Sequence, residues 1–381
     1  MSAFDQVLLL TIILGAVSCV ITAVGLYRHL PLHIIYPLVG GLLGIIFIFM
    51  IPVFSAPDEN FHYYAAYDTA QDMRGKSTSN PFTLYLRAND FQGNECVQSR
   101  EDYDEAQDRF AQTSDSQYTM AIDQSKDAGH FVYLAQAIGI ALALTLHLSA
   151  GWVAFWGTLF GLSFFLCMMT LVIARLPFGK RTAFVIGLLP LTLQQATSFT
   201  YDAPLVAGVM MISALALYYK YGKGWQSSRR SQILDVFLFL VSAVILLRVK
   251  SGVYAVFLLL PFFILMEKDW FAGKRKYIWI AVILLIVVAG SIVWSGVGLG
   301  DRVATLLNTP HTQGENGAMT LPLMYYMKNP KIFLSMLRAT FLSGYGKLLA
   351  IGTFGYALGQ LNIFIPSKLI YVYILLFILS F

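Results

Sequence analysis

Apolar residues fall along this chain in long unbroken runs, not in alternation with polar ones. A membrane-spanning helix needs about 20 apolar residues in a row. Runs at residues 7–27, 33–54, 130–149, 151–174, 183–199, 203–221, 232–247, 253–266, 277–298, 332–352 and 368–381 meet or approach that length. Barrel strands alternate polar and apolar positions, and these runs do not, so the pattern predicts an all-α, polytopic helical membrane protein. About ten or eleven apolar helices are expected in one transmembrane domain over residues 1–381, with one helix only partial. Gly40 and Gly44, and Gly157 and Gly161, give the small-xxx-small spacing that lets helices approach closely.

Between the second and third runs lies a polar stretch, 55–128. It holds 14 of the 21 acidic residues and 6 of the 26 basic ones, a net −8, while the remainder of the chain carries +13. The basic excess sits in short loops: Arg175, Lys180 and Arg181; Lys220, Lys223, Arg229 and Arg230; Lys268, Lys274, Arg275 and Lys276. Short basic loops mark the cytoplasmic side, so the acidic 55–128 loop, Asp202, the 248–252 turn and the 299–330 loop are expected on the outer face. Two full crossings at 130–149 and 151–174 would break that parity, so one of them is expected to be a partial or interfacial helix. The 55–128 loop is expected to form short interfacial helices and no detached domain, with Tyr63, Tyr64 and Tyr67 at the membrane interface.

Composition agrees. Only 12% of the 381 residues are charged and 57% are hydrophobic, against about 25% charged in soluble domains. An ordinary soluble enzyme, a disordered chain, a secreted disulfide scaffold and a nucleic-acid binder are excluded. The three cysteines form no CxxC or Cys/His cluster. The first run has neither a basic leader nor a small-residue cleavage site, so it reads as a retained span. The chain stops inside an apolar run at Leu379-Ser380-Phe381, which predicts a shortened last span or further spans beyond it.

Three polar clusters stand where runs meet the outer face. The first is Ser55-Ala56-Pro57-Asp58-Glu59-Asn60-Phe61-His62. Ser55 suits an N-cap and Pro57 a first helical turn, which would place Asp58 and Glu59 at a helix N-terminus. His62 lies four residues after Asp58, on the same helical face. The second is Thr200-Tyr201-Asp202, an acid at a span boundary. The third is Arg248-Val249-Lys250-Ser251-Gly252-Val253-Tyr254, two cations on the face where topology disfavours them and where a phosphate would be met. His311 and Glu315 add polar groups to the last outer loop. Each cluster also has a plain structural reading, as a cap, an interfacial helix or snorkelling side chains. No Walker A, GxSxG, HExxH or EF-hand pattern occurs, and no repeated halves of the transporter kind are visible.

Taken in order, the PDExxH sequence, the Pro190…Gln194-Gln195…Ser198-Phe199-Thr200-Tyr201-Asp202 run, the Lys250…Tyr254 turn and Phe354-Gly355-Tyr356…Pro366 resemble the bacterial membrane family called domain of unknown function 2142, over about residues 40–370. That family looks like part of the GT-C superfamily of polytopic glycosyltransferases. The chain departs from the family pattern at Gly129–Tyr133, where relatives often read Pro-Pro-Leu-Tyr-Tyr, and at 355–359, where an Asp is common.

The resemblance implies transfer of a sugar from a polyprenyl-phosphate donor to a glycan or glycolipid acceptor, on the outer face of a bacterial plasma membrane. Such a reaction needs a carboxylate base and cations or a metal to hold the phosphate. Asp58 is the expected base, with Glu59 as helper or ligand of a divalent cation. His62, Tyr201, Asp202, Arg248, Lys250 and Tyr254 are the expected substrate-binding residues. The dipole at a helix N-terminus weakens a base, so partial cover of Asp58 by the acidic loop is expected to offset it. A flippase for a lipid-linked glycan, or a polysaccharide polymerase or ligase, is the alternative reading.

Overall fold

A computed structural model describes residues 2–76, 83–87, 90, 99–111, 118–123, 130–265, 325, 328–342, 351–359 and 363–380. The expected span at 277–298, and His311 and Glu315, lie outside the described residues. The chain divides into two compact units, Met1–Met266 with Phe354–Phe381, and Glu267–Thr353. In the second unit the described residues include the helix Pro330–Leu342.

The first unit is an all-α membrane bundle. Among the described residues, five helices are long and apolar enough to cross a bilayer: α1 (Ala3–Tyr27), α2 (Leu32–Met50), α6 (Ala150–Arg175), α9 (Asp202–Tyr221) and α10 (Arg229–Arg248). Between α2 and α6 come α3 (Glu59–Met73), α4 (Arg100–Ala111) and α5 (Leu134–Thr145), with a 3-10 turn, His130–Tyr133, leading into α5. The expected glycine contacts are present. A Cβ at Gly40 or Gly44 would meet Leu166 or Leu162 at 2.7 and 2.5 Å, so α2 lies directly against α6.

The parity conflict between 130–149 and 151–174 is resolved by length. The second run is a 26-residue helix, and the first is a 12-residue one. Helix α5 runs antiparallel to only the first half of α6: Gly139 touches the Trp156 carbonyl, and Gln136 fills the space beside Gly161. At 1.5 Å per residue, α5 is about 18 Å long, too short to cross.

Two other expected spans are corrected. The 183–199 run is broken into α7 (Lys180–Gly187) and α8 (Pro190–Thr197). Leu189, at φ −60 and ψ 142, is extended because the ring of Pro190 disfavours helical geometry in the residue before it. The 253–266 run is a 3-10 segment, Val249–Leu259, followed by the six-residue α11 (Leu260–Leu265).

The acidic loop is not purely helical either. Its strands β1 (Thr83–Arg87) and β2 (Tyr118–Asp123) pair antiparallel on either side of α4. A buried network ties the loop down: Arg87 grips Asp90 through Nε at 2.6 Å and Nη2 at 2.9 Å, and donates from Nη1 to the Leu148 carbonyl at the α5–α6 turn. Tyr67 of α3 donates to the same Asp90 at 2.8 Å. Helix α4 holds the start of α1, with Asp104 accepting from the Phe4 N–H and Arg100 paired to Asp5 at 2.8 Å. The unit closes with a two-residue strand pair, β3 (Ala357–Leu358) and β4 (Ile363–Phe364), and with α12 (Ser367–Leu379), which packs on α7.

Candidate functional site

The acid motif forms a tight double turn between α2 and α3. Phe54 and Asp58 both adopt left-handed backbone geometry, at φ 69 and 57. This differs from the expected Ser55 cap. The helix begins at Glu59, Asp58 occupies the N-cap position without a capping side-chain bond, and Pro57 is exposed outside the helix. The reason is Glu59. Its Oε2 accepts from the Ala56 N–H at 3.0 Å, which curls the chain back on itself just before the helix starts.

The two neighbouring carboxylates have opposite surroundings. Glu59 is 1% exposed, and its Oε1 accepts from the Phe199 N–H at 3.0 Å, at the corner between α8 and α9. Burial pushes its carboxyl up to about 7, against hydrogen bonds from the Phe199, Ala56, Phe54 and Ser55 backbone that pull it down. Asp58 is exposed. The described part of the acidic loop therefore does not bury Asp58 as expected, because the left-handed turn throws its side chain outward while its neighbour turns in.

One turn into α3, His62 faces two tyrosines. Its Nδ1 lies 2.6 Å from the Tyr133 hydroxyl, and its ring meets Tyr201 edge-on with centroids 4.8 Å apart. Beneath them Tyr63 packs edge-on against Phe199 at 4.8 Å and Phe54 at 5.1 Å. Asp202 opens α9, its N–H capped by the Thr200 hydroxyl at 3.1 Å. So three of the expected residues, Glu59, His62 and Tyr201, come together around the α8–α9 corner, and Asp58 and Asp202 adjoin them along the chain. Tyr133 joins them without having been expected. The only sign of it in the sequence is the aromatic end of the Gly129–Tyr133 segment.

The cationic turn reaches the same core. Ile245, Leu246 and Val249 are buried in one apolar cluster with Phe54, Tyr63, Tyr133 and Phe199, and Tyr201 and Tyr254 pack against it. Arg248 is part-buried at the end of α10 between those residues. Lys250 follows in the 3-10 segment; its side chain lies outside the described residues. Tyr254 stacks on Phe257 with planes 10° apart.

The later motif pieces also meet. Gln194 of α8 donates to the Gly359 carbonyl at 3.2 Å and accepts from the Gly359 N–H at 3.0 Å. Gly355, at φ 89, lies against Pro190 and Leu191 so closely that a Cβ would fall 2.9 Å from both.

The family model described as "Predicted membrane protein (DUF2142)" matches residues 42–381. The chain belongs to this family. The DUF2142 match begins within α2 and takes in every residue of the site, while α1 lies before it. No curated protein and no solved structure matches the chain.

Among the described residues, no group of three or more His, Cys, Asp and Glu side chains is placed to hold a metal ion. Glu59 in particular does not fit a divalent cation, because backbone N–H groups occupy both of its oxygens.

Proposed function

We propose that this DUF2142 protein is a membrane glycosyltransferase that moves a sugar from a polyprenyl-phosphate donor to a glycan or glycolipid acceptor. The carrying observation is the division between two adjacent carboxylates. Glu59 is buried and engaged, and Asp58 is exposed one turn from the His62–Tyr133–Tyr201 cluster. A buried carboxylate whose oxygens are filled can position a turn. An exposed one at its rim can take a proton.

In this reading the acceptor hydroxyl attacks the anomeric carbon as the bond from that carbon to the phosphate oxygen breaks. Asp58 receives the hydroxyl proton. The polyprenyl phosphate leaves with the bonding electron pair, and its charge is met by Arg248 and Lys250. His62, Tyr133 and Tyr201 offer a polar-aromatic wall for a sugar ring. Attack from the side opposite the leaving group inverts the anomeric centre. Glu59 acts as a positioning residue, fixing the Asp58 turn against the Tyr201–Asp202 end of α9.

The test is to supply the purified full chain with labelled polyprenyl-phosphate sugars and candidate acceptors. Label appearing in the acceptor supports the reading. Movement of the intact lipid-linked sugar across a vesicle membrane, without transfer, favours a flippase instead.

A further inference from the structure

At the opposite end of the bundle from Asp58, α9, α10 and α11 line a partly open cavity of about 320 Å³. Its wall is made by Ile212, Leu215 and Tyr219 of α9, Val236 and Phe239 of α10, and Pro261 of α11. That volume lies at the lower end of the range of about 300–1,000 Å³ seen for small-molecule pockets. Asp235 also borders it, but its carboxylate is held by Arg175 Nε at 2.7 Å and by the Tyr219 hydroxyl at 3.4 Å, so its charge is compensated.

The rim is of a different character. Trp225, also on the cavity wall, is 75% exposed and meets Tyr219 edge-on at 5.0 Å. Gln232 braces that corner by donating to the Gly224 and Trp225 carbonyls. Arg229, Gln232, Val236 and Phe239 fall at i, i+3, i+7 and i+10, which is one face of α10. Arg229 therefore stands two turns, about 10 Å, from the cavity wall on the same stripe. Arg229 and Arg230 are exposed, form no ion pair among the described residues, and open a helix whose first turn holds no acid. Two cations at the positive end of a helix dipole are mutually unfavourable until an anion joins them.

We propose that this cavity and rim form a binding site for an anionic phospholipid. One acyl chain fills the space between α9, α10 and α11, the glycerol region lies beside Trp225, and the phosphate headgroup rests on Arg229, Arg230 and the exposed Lys223. Apolar cavity, interfacial tryptophan and cations follow one another along the bundle in the order of the parts of a lipid. This site is separate from the proposed transfer chemistry and stands without it.

The test uses the full chain in detergent, titrated separately with dioleoyl-phosphatidylglycerol, dioleoyl-phosphatidylcholine and a polyprenyl phosphate, and read by native mass spectrometry. Phosphatidylglycerol is expected to bind at least about tenfold tighter than phosphatidylcholine. Arg229→Ala with Arg230→Ala should remove that preference. Ala216→Met, at a buried position that also lines the cavity, fills it without changing charge and should abolish phosphatidylglycerol binding, and Leu215→Phe, buried on the same wall, does the same should the first variant misfold. Ile233→Trp, on a lipid-exposed position of α10, should leave binding intact. Equal binding of the two phospholipids, cavity-filled variants that bind as the natural chain does, or binding of polyprenyl phosphate in place of phosphatidylglycerol would each overturn the proposal.

Discussion

Glu59 accepts a hydrogen bond from the backbone of Phe199 across 140 residues of sequence. That bond joins the start of α3 to the corner between α8 and α9, and it fixes which of two adjacent acids faces outward. Around it gather His62, Tyr63 and Tyr201.

Glu59 gives the fold a pH dependence of definite sign. Its carboxyl is raised from 4.5 to about 7 in the folded chain. A group raised on folding favours the folded state while protonated. Its stabilising contribution is complete below about 4.5 and fades as pH rises through about 7, by on the order of 3 kcal/mol at full ionisation. The thermal midpoint of the natural chain should fall between pH 5 and 8.5. Glu59→Gln should be less stable throughout, since its amide sets a donor against a backbone N–H, and should lack that slope. An equal slope in both chains would remove Glu59 as the cause.

Gly139 carries the close approach of α5 to α6. A Cβ there would fall 2.2 Å from the Trp156 carbonyl oxygen, a backbone atom that cannot swing aside. Gly139→Ala should cost about 1–3 kcal/mol, read as a lower unfolding midpoint in detergent. Gly15→Ala, in open space on α1, is the matched control and should cost nothing.

Gln194 ties the end of the chain to α8 through two hydrogen bonds to Gly359. Gln194→Leu keeps the bulk and removes both, leaving a buried N–H and carbonyl unpaired, at a cost of about 1–3 kcal/mol. Hydrogen exchange at residues 356–359 should quicken in the variant, with exchange in α6 unchanged. Unaltered protection at Gly359 would show that the tether does not hold this segment.

Much of the bundle is legible in the apolar runs. The helices α1, α2, α6, α9 and α10 coincide with the runs at 7–27, 33–54, 151–174, 203–221 and 232–247, because a lipid-crossing helix must be apolar along its whole length. The run at 183–199 misled, and hydropathy could not say which of 130–149 and 151–174 was the partial helix, for a physical reason. Ala137, Ile140 and Ala143 are apolar because α5 buries them against protein, and hydropathy does not distinguish burial in protein from burial in lipid. Pro190 was visible, yet only the extended Leu189 shows that it breaks the run instead of bending it. The acid motif could be read as a motif. Which acid is buried could not, because that depends on the Phe199 N–H, supplied from a distant corner of the fold. Tyr133 escaped for the same reason, since its role comes from the packing of its turn on α3.

The central claim is that Asp58 is the base of a sugar transfer and that Glu59 holds its turn in place. The most direct measurement compares the transfer rate from a labelled polyprenyl-phosphate sugar, and separately the binding of that donor, in the natural chain and in Asp58→Asn, which keeps the shape and exposure of the side chain. Transfer should fall by about 10²-fold or more with donor binding retained. Transfer by Asp58→Asn at the rate of the natural chain would contradict the account.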